Sequence, residues 1–239
     1  MARRLRPGRA TMTGLQWLVR VGPAPLEAWR VAMGWGRSAV YSHASRLIER
    51  RWAETTAMGH GAGSLIYPTR DGLRVTGVEA VGVVAHAPTW WAHCAGCAWT
   101  AAWLTQRGQL QLGCRELAGD PGWRGEVRWR DRGGWRTSGH HPDLVRVIEH
   151  TPVAVEVELA RKSSARLAAI VELHALWRLQ GKIGGVLYVC GSERAAERVE
   201  RVAERHGLTR GRGGLGLRTL QEVKVEAREL ASRSRAAVA

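Results

Sequence analysis

Apolar residues recur in two rhythms along this chain, and the change of rhythm marks the change of architecture. From Thr13 onward, Leu15, Leu18 and Val19 return at spacings of three and four, the stripe of an α-helix, until Gly22 ends the run. Pro23 and Pro25 open a second short helix carrying Leu26, Trp29 and Val31-Ala32-Met33, and Gly34-Trp35-Gly36 breaks it. A third helix is predicted over residues 38–51, with Ser38 as its N-cap and Val40, Ala44, Leu47 and Ile48 as its buried stripe. Two extended runs follow, residues 52–58 and 64–69, around the flexible Gly59-His60-Gly61-Ala62-Gly63, and Arg70-Asp71-Gly72-Leu73 leads on to Gly77. Residues 78–88 read as a linker closed by Pro88. Beyond it the pattern predicts a helix over 89–106, a strand over 110–117 and a polar insert over 118–139. Two strands, 144–148 and 153–159, are joined at His150-Thr151. A helix over 163–179 has Leu167, Ile170, Leu173, Ala175 and Trp177 as buried candidates. Residues 183–190 form an apolar run of the kind buried on both faces of a sheet. A charged helix over 192–206 follows, capped by Ser192, then a last strand over 215–223 and a helical or frayed tail.

Three helices followed by a hairpin with a Gly-rich tip is the order of a winged helix-turn-helix. The stretch SAVYSHASRLIERRW, the hairpin and YPTRDGLRVTG resemble the MarR and PadR type of winged-helix protein. A major groove admits one helix, and the residues of the third helix that point away from its stripe are Arg37, Ser38, Tyr41, Ser42, Ser45 and Arg46. Arg50 and Arg51 at its end suit phosphate contacts. Residues 1–80 hold twelve Arg against five acids, so the charge agrees with the shape. The wing tip near His60 lacks an Arg. Winged helices also serve as protein-interaction modules, a use that the basic helix argues against.

The segment HPDLVRVIEHTPVAVEVELARKSSARL carries the second candidate site. With the loop at His150-Thr151, Asp143 pairs with Glu158 and Val145 with Glu156. Alternation then puts Asp143, Glu156 and Glu158 on one sheet face, opposite a face of Leu144, Val153, Val155, Val157 and Leu159 that only Arg146 interrupts. Three carboxylates on one face need solvent, cationic partners or a hard cation such as Mg²⁺. Pro142-Asp143 followed by Glu156-Val157-Glu158 resembles the PD-(D/E)XK nuclease fold, whose core order α-β-β-β-α-β fits residues 89–190. The resemblance makes Asp143 and Glu156 ligands of Mg²⁺. It puts Glu158 where that family has its lysine; Lys162 could supply a displaced amine and Glu116 a further carboxylate. If Glu158 is the family's Glu, the lysine position falls on Ala160. The glutamate at the lysine position argues against cleavage.

A winged helix, a linker helix, CREL, then PD…VEVE and a later YV strand are together similar to the replication-relaxation family of plasmid and mobile-element proteins. The resemblance implies duplex-DNA binding in plasmid replication or maintenance. Two alternatives stand beside it: a Mg²⁺-dependent DNA nickase or endonuclease, and a dimeric transcription regulator with an inert C-terminal domain. The fold class expected is α/β (α+β), an N-terminal winged helix-turn-helix plus a restriction-endonuclease-like mixed β-sheet domain flanked by helices. The expected division is a disordered basic arm over 1–10, the winged helix over 11–77, the linker over 78–88, the nuclease-like domain over 89–225 and a tail over 226–239.

Composition and two local clusters add to this. A net charge of +15 over 239 residues favours a polyanionic partner, and 45% hydrophobic residues mark a globular chain. No apolar run is long enough to span a membrane, and no apolar stretch of signal-peptide type follows the basic start. Cys94, Cys97, Cys114 and Cys190 form no disulfide framework, so a cytoplasmic protein with free thiols is expected; a homodimer is a separate expectation, tied to the DNA-binding reading. Cys94 and Cys97 form a CxxC with His86, His93 and Cys114 nearby in sequence. Zinc prefers two such pairs, so packing along a helix with Trp90 and Trp91 is the simpler expectation. In the insert, Trp123, Trp129 and Trp135 lie among Arg124, Arg128, Arg130, Arg132 and Arg136. They could stack on single-stranded DNA or cover a surface hairpin.

Overall fold

The computed structural model describes residues 8–58, 63–77, 90–160 and 162–237. The expected linker, the wing-tip loop around His60 and most of the expected arm lie outside these residues. The chain is a mixed α/β protein with a small antiparallel sheet among N-terminal helices and a mixed six-stranded sheet flanked by helices.

Helix α1 (Arg9–Val21) begins inside the stretch expected as a disordered arm and buries Leu15, Leu18 and Val19, as their spacing requires. Strand β1 (Ala24–Pro25) leads into α2 (Leu26–Ala32), and α3 (Arg37–Glu49) follows. Gly36, extended at φ −70° and ψ 165°, takes the N-cap of α3, so Ser38 lies inside the first turn and caps nothing. Val40, Ala44 and Leu47 are buried, whereas Ile48 is 40% exposed because the stripe narrows where the helix leaves the core. Strands β2 (Ala53–Ala57) and β3 (Ser64–Pro68) make the hairpin, and β1 pairs with β3 to give the order β1-β3-β2. The segment towards Gly77 is a helix, α4 (Arg70–Thr76). The Thr69 hydroxyl caps it by accepting from the Gly72 amide, and Gly77 ends it at φ 72°.

Helix α5 (Trp91–Gln106) packs its apolar length under the large sheet. At Gly96 the chain at residues 157–159 comes so close that a Cβ would lie 2.9 Å from Val157 and 2.6 Å from Leu159. The strand expected over 110–117 is only β4 (Leu110–Leu112). The chain then turns into α6 (Cys114–Gly119), because Glu116 reaches back to accept from the Gly113 amide at 2.7 Å. The insert is a hairpin, β5 (Gly125–Asp131) and β6 (Gly134–His140). Trp123 and Trp129 are half-covered against the core, and Trp135 is 61% exposed with Arg128 over its ring.

Strands β7 (Leu144–Ile148) and β8 (Thr151–Glu158) close through Glu149 and His150, both left-handed at φ 47° and 67°. The turn lies one residue earlier than expected, so Leu144 pairs with Val155 and Val145 with Ala154, a shift of two residues. A two-residue shift keeps alternation, so the apolar set Leu144, Val155 and Val157 still shares one face. Helix α7 (Ser164–Leu179) and strand β9 (Gly185–Cys190) follow, then α8 (Glu193–Arg205), capped by the Ser192 hydroxyl. The short β10 (Thr209–Arg210) precedes β11 (Gly214–Thr219). The last strand ends at Thr219 and not Val223, because Thr219 and Glu222 form a reciprocal cap that starts α9 (Leu220–Ala236). The sheet order is β10-β11-β9-β8-β7-β4, parallel from β10 to β8 and antiparallel from β8 to β4.

One core lies on the face covered by α5 and α9, and it runs without a break into α1, α2 and α3. Trp17 Nε1 donates to Thr105 Oγ1 at 3.0 Å, and Gln106 donates to the carbonyls of Val31 and Ala32, so polar bonds also cross this junction. A second core lies on the opposite face, under α7, α8 and the β5–β6 hairpin. Among the described residues, no helix is long and apolar enough to cross a membrane.

Candidate functional site

The outer face of α3 is open. Arg37, Ser38, Tyr41, Ser42, Ser45 and Arg46 are all exposed, Tyr41 at 57%; Arg51 is exposed and Arg50 half-buried. The helix is seated from behind. His43 stacks on Trp35 at 4.0 Å and bonds Thr11 at 2.8 Å, and burial pushes its imidazole below the ordinary value. A neutral His43 therefore holds the helix against α1 while the donors above it face solvent.

The carboxylates of the second candidate site do not gather as one oxygen cluster, because each is taken by its own partner. Asp143 lies just before β7. Its amide donates to the Val155 carbonyl, its Oδ2 accepts from the Val157 amide at 2.7 Å, and its Oδ1 lies 2.9 Å from His93 Nε2 on α5. His93 Nε2 is also 3.5 Å from Cys97 Sγ, one helical turn along. Glu156, 2% exposed on β8, points the other way, towards α7. Its Oε1 lies 2.8 Å from Nε2 of His140 and 3.4 Å from Nε2 of His174, whose Nδ1 is 3.4 Å from the Tyr188 hydroxyl. Glu158, 1% exposed, is bound by Lys162 and by Arg198 of α8 at 3.2 Å, and Arg198 also donates to the Lys162 carbonyl. Glu116, by contrast, is fixed on α6 by the Gly113 amide and by Arg20 at 2.9 Å.

Burial alone favours the neutral form of each of these groups, and the partners decide the outcome. For Glu156 the two imidazoles outweigh burial and hold the carboxyl well below its usual range. The same attraction raises His140 above its ordinary value, and Asp143 raises His93. Lys162 is likewise buried, but the surrounding carboxylates, Glu156 and Glu158 foremost, raise its amine. A lysine held so firmly in its charged form serves as a counter-charge and not as a base. Burial pushes the Cys94 thiol up to about 12. A hydrogen bond with Cys114, together with burial, raises Cys97 as well.

Among the described residues, His93–Cys97–Asp143 and His140–Glu156–His174 are groups whose ligand atoms lie within 4.8 Å of one another, so the structure holds two triads of metal-site type. Four of their six ligand atoms are nitrogen or sulfur. Mg²⁺ takes roughly six oxygen ligands in a near-octahedral array. The residues present do not fit that ion, since the oxygens are few and already engaged; a borderline transition ion suits the donors better.

His93 is named from sequence only beside the Cys pair, and His140 and His174 not at all, because their partners are far along the chain: His93 is 50 residues from Asp143, and His140 is 16 from Glu156. The spacing of four between His93 and Cys97 was the one local signal. Two cavities adjoin the centre. One, of about 430 Å³, is lined by Glu158, Ser192, Arg194, Arg198 and Arg201 among others. The other, of about 260 Å³, lies between the end of α1, the starts of α5 and α6, and Asp143.

No family model matches the chain, and no curated protein sequence does. Among solved structures, protein VC1899 from Vibrio cholerae is similar at a TM-score of 0.35 and 14% identity, over 97% of this chain and 58% of that one. The chain thus spans little more than half the length of that protein.

Proposed function

We propose that the chain is a duplex-DNA-binding protein of plasmid or mobile-element replication and maintenance, of the replication-relaxation type, which reads the major groove with α3 of an N-terminal winged helix. The observation that carries the reading is the face of α3, where Arg37, Ser38, Tyr41, Ser42, Ser45 and Arg46 stand in solvent on a helix locked from behind. The order helix, short strand, two helices and a hairpin, with β1 completing the small sheet, supports it. So does the charge of +15, which counterion release turns into affinity for any duplex. Arg37→Ala and Arg46→Ala are each expected to weaken binding by about 1–3 kcal/mol in a gel-shift titration on the cognate duplex. Unchanged affinity in both variants removes α3 from the interface.

Leaving out α6 and the β5–β6 hairpin, which are inserted after β4, the elements of the large sheet run α5-β4-β7-β8-α7-β9. That order supports a nuclease-like scaffold; on this reading its polar centre is structural and not Mg²⁺-driven. The donors are mixed, each carboxylate is paired, and Lys162 stays charged. Supercoiled plasmid incubated with the protein and Mg²⁺ or Mn²⁺ is therefore expected to stay closed. Nicking that disappears in Asp143→Ala would establish the nickase alternative instead. A footprint over a replication or transfer origin favours the maintenance role, and one over an operator-like palindrome favours a dimeric regulator.

A further inference from the structure

We infer that the chain binds one zinc-class transition ion through His93, Cys97, Cys114 and Asp143. Three different elements bring these residues to one cavity: His93 and Cys97 stand one turn apart on α5, Cys114 is the first residue of α6, and Asp143 precedes β7. Bonds of about 2.3 Å to sulfur and about 2.0 Å to nitrogen, set at the tetrahedral angle, separate the two ligand atoms by roughly 3.5 Å. His93 Nε2 and Cys97 Sγ are 3.5 Å apart. Asp143 Oδ1 is 2.9 Å from the same nitrogen, and the three atoms lie within 4.8 Å of one another, so both ligand atoms stand on one side of the imidazole. Cys114 lines the same cavity beside Cys97, which puts a second sulfur at the edge of the triad. Asp143 is already oriented as a ligating carboxylate should be, because its other oxygen accepts from the Val157 amide.

Binding exchanges protons for the ion. The proton between His93 and Asp143 and the two thiol protons pass to solvent, and the imidazole, carboxylate and thiolates turn to the metal. Two thiolates and a carboxylate around a divalent ion leave one negative charge, and Arg115 lines the same cavity. Cys94 lines the same cavity. The site would clasp the ends of α5 and α6 to the sheet. It uses thiolate and imidazole, the chemistry of zinc, and not the oxygen chemistry of the Mg²⁺ reading.

Titration of the apo full-length protein with Co²⁺ tests this. The expected result is about one ion per chain, with thiolate-to-cobalt charge-transfer bands and tetrahedral ligand-field bands. Cys97→Ser and Cys114→Ser should each lose most of that signal, while Cys190→Ser, a buried thiol on β9, keeps it. Absence of a thiolate band in the wild type overturns the inference, as does a folded Cys97→Ser that holds Co²⁺ as tightly as wild type. Should the serine variants fail to fold, the wild type alone decides: Zn²⁺ should slow the reaction of two thiols with a thiol reagent, and an unchanged rate sinks the site. Gel shifts with the α3 variants do not depend on this outcome, so either reading can fail alone.

Discussion

Glu156→Ala is expected to cost about 3–5 kcal/mol of folding stability, because it leaves His140 and His174 in a buried site without the charge they face. At roughly 2–4 °C of midpoint per kcal/mol for a chain of this size, a thermal melt would show it clearly. The pH dependence carries the sharper test. Glu156 is held below its ordinary 4.5, so its contribution is present above that pH and is lost as pH falls through the lowered value. His140 is raised above its ordinary 6.5, so its contribution is complete below 6.5 and is lost as pH rises through the raised value. The pair therefore stabilises most between 4.5 and 6.5. Denaturant midpoints should decline as pH is taken above 6.5. In Glu156→Gln the part of that slope due to His140 should vanish or reverse, since burial then depresses the imidazole. The slope that remains belongs to His93, raised by Asp143. A wild-type midpoint indifferent to pH across this range would show that the imidazoles are not paired as described.

The second large effect is expected at Trp29. Its ring is 0% exposed, its Nε1 donates to the Gly14 carbonyl at 3.0 Å, and it meets Trp35 edge-on at 5.0 Å. Gly14 is obligatory here, as a Cβ would come within 2.8 Å of Trp29 and 2.5 Å of Trp35. Removing so large a buried ring costs about 3–5 kcal/mol, so Trp29→Ala should lower the midpoint by as much as Glu156→Ala. The consequence reaches further. Trp35 leans on Trp29 and carries His43 of α3, so the support of that helix goes with the ring. DNA affinity should drop in Trp29→Ala although no residue of the exposed face has changed. Trp29→Phe keeps an aromatic ring, gives up the indole N–H and should cost less on both counts. A Trp29→Ala protein with wild-type affinity would separate the seat from the reading face.

Much of this was readable from residue spacing, and the failures share a cause. The buried stripes of α1, α3, α7 and α8 follow from apolar residues three and four apart, and Ser192 announced the start of α8. The face shared by Leu144, Val155 and Val157 survived a misplaced turn because strands repeat every two residues. What was lost lay in contacts that spacing does not encode. Glu116 looked like a strand carboxylate, yet three residues after Gly113 it is a helix cap. Thr219 and Glu222 carried the same signal at the end of the last strand. The histidine partners of Asp143 and Glu156 come from α5, β6 and α7, and only the assembled sheet brings them within reach.

Because the apolar interior continues from α1–α3 into α5 and α9, the end of the molecule that carries the open face of α3 is no detachable head. Cut away, it would carry Trp17, Val21 and Val31 raw into water, and the remainder would show the matching scar along α5. Selection must therefore treat the two halves as one object. A change of volume on the flank of α2 calls for an answer on the flank of α5, and a transplanted recognition segment would succeed only with its counterpart in tow.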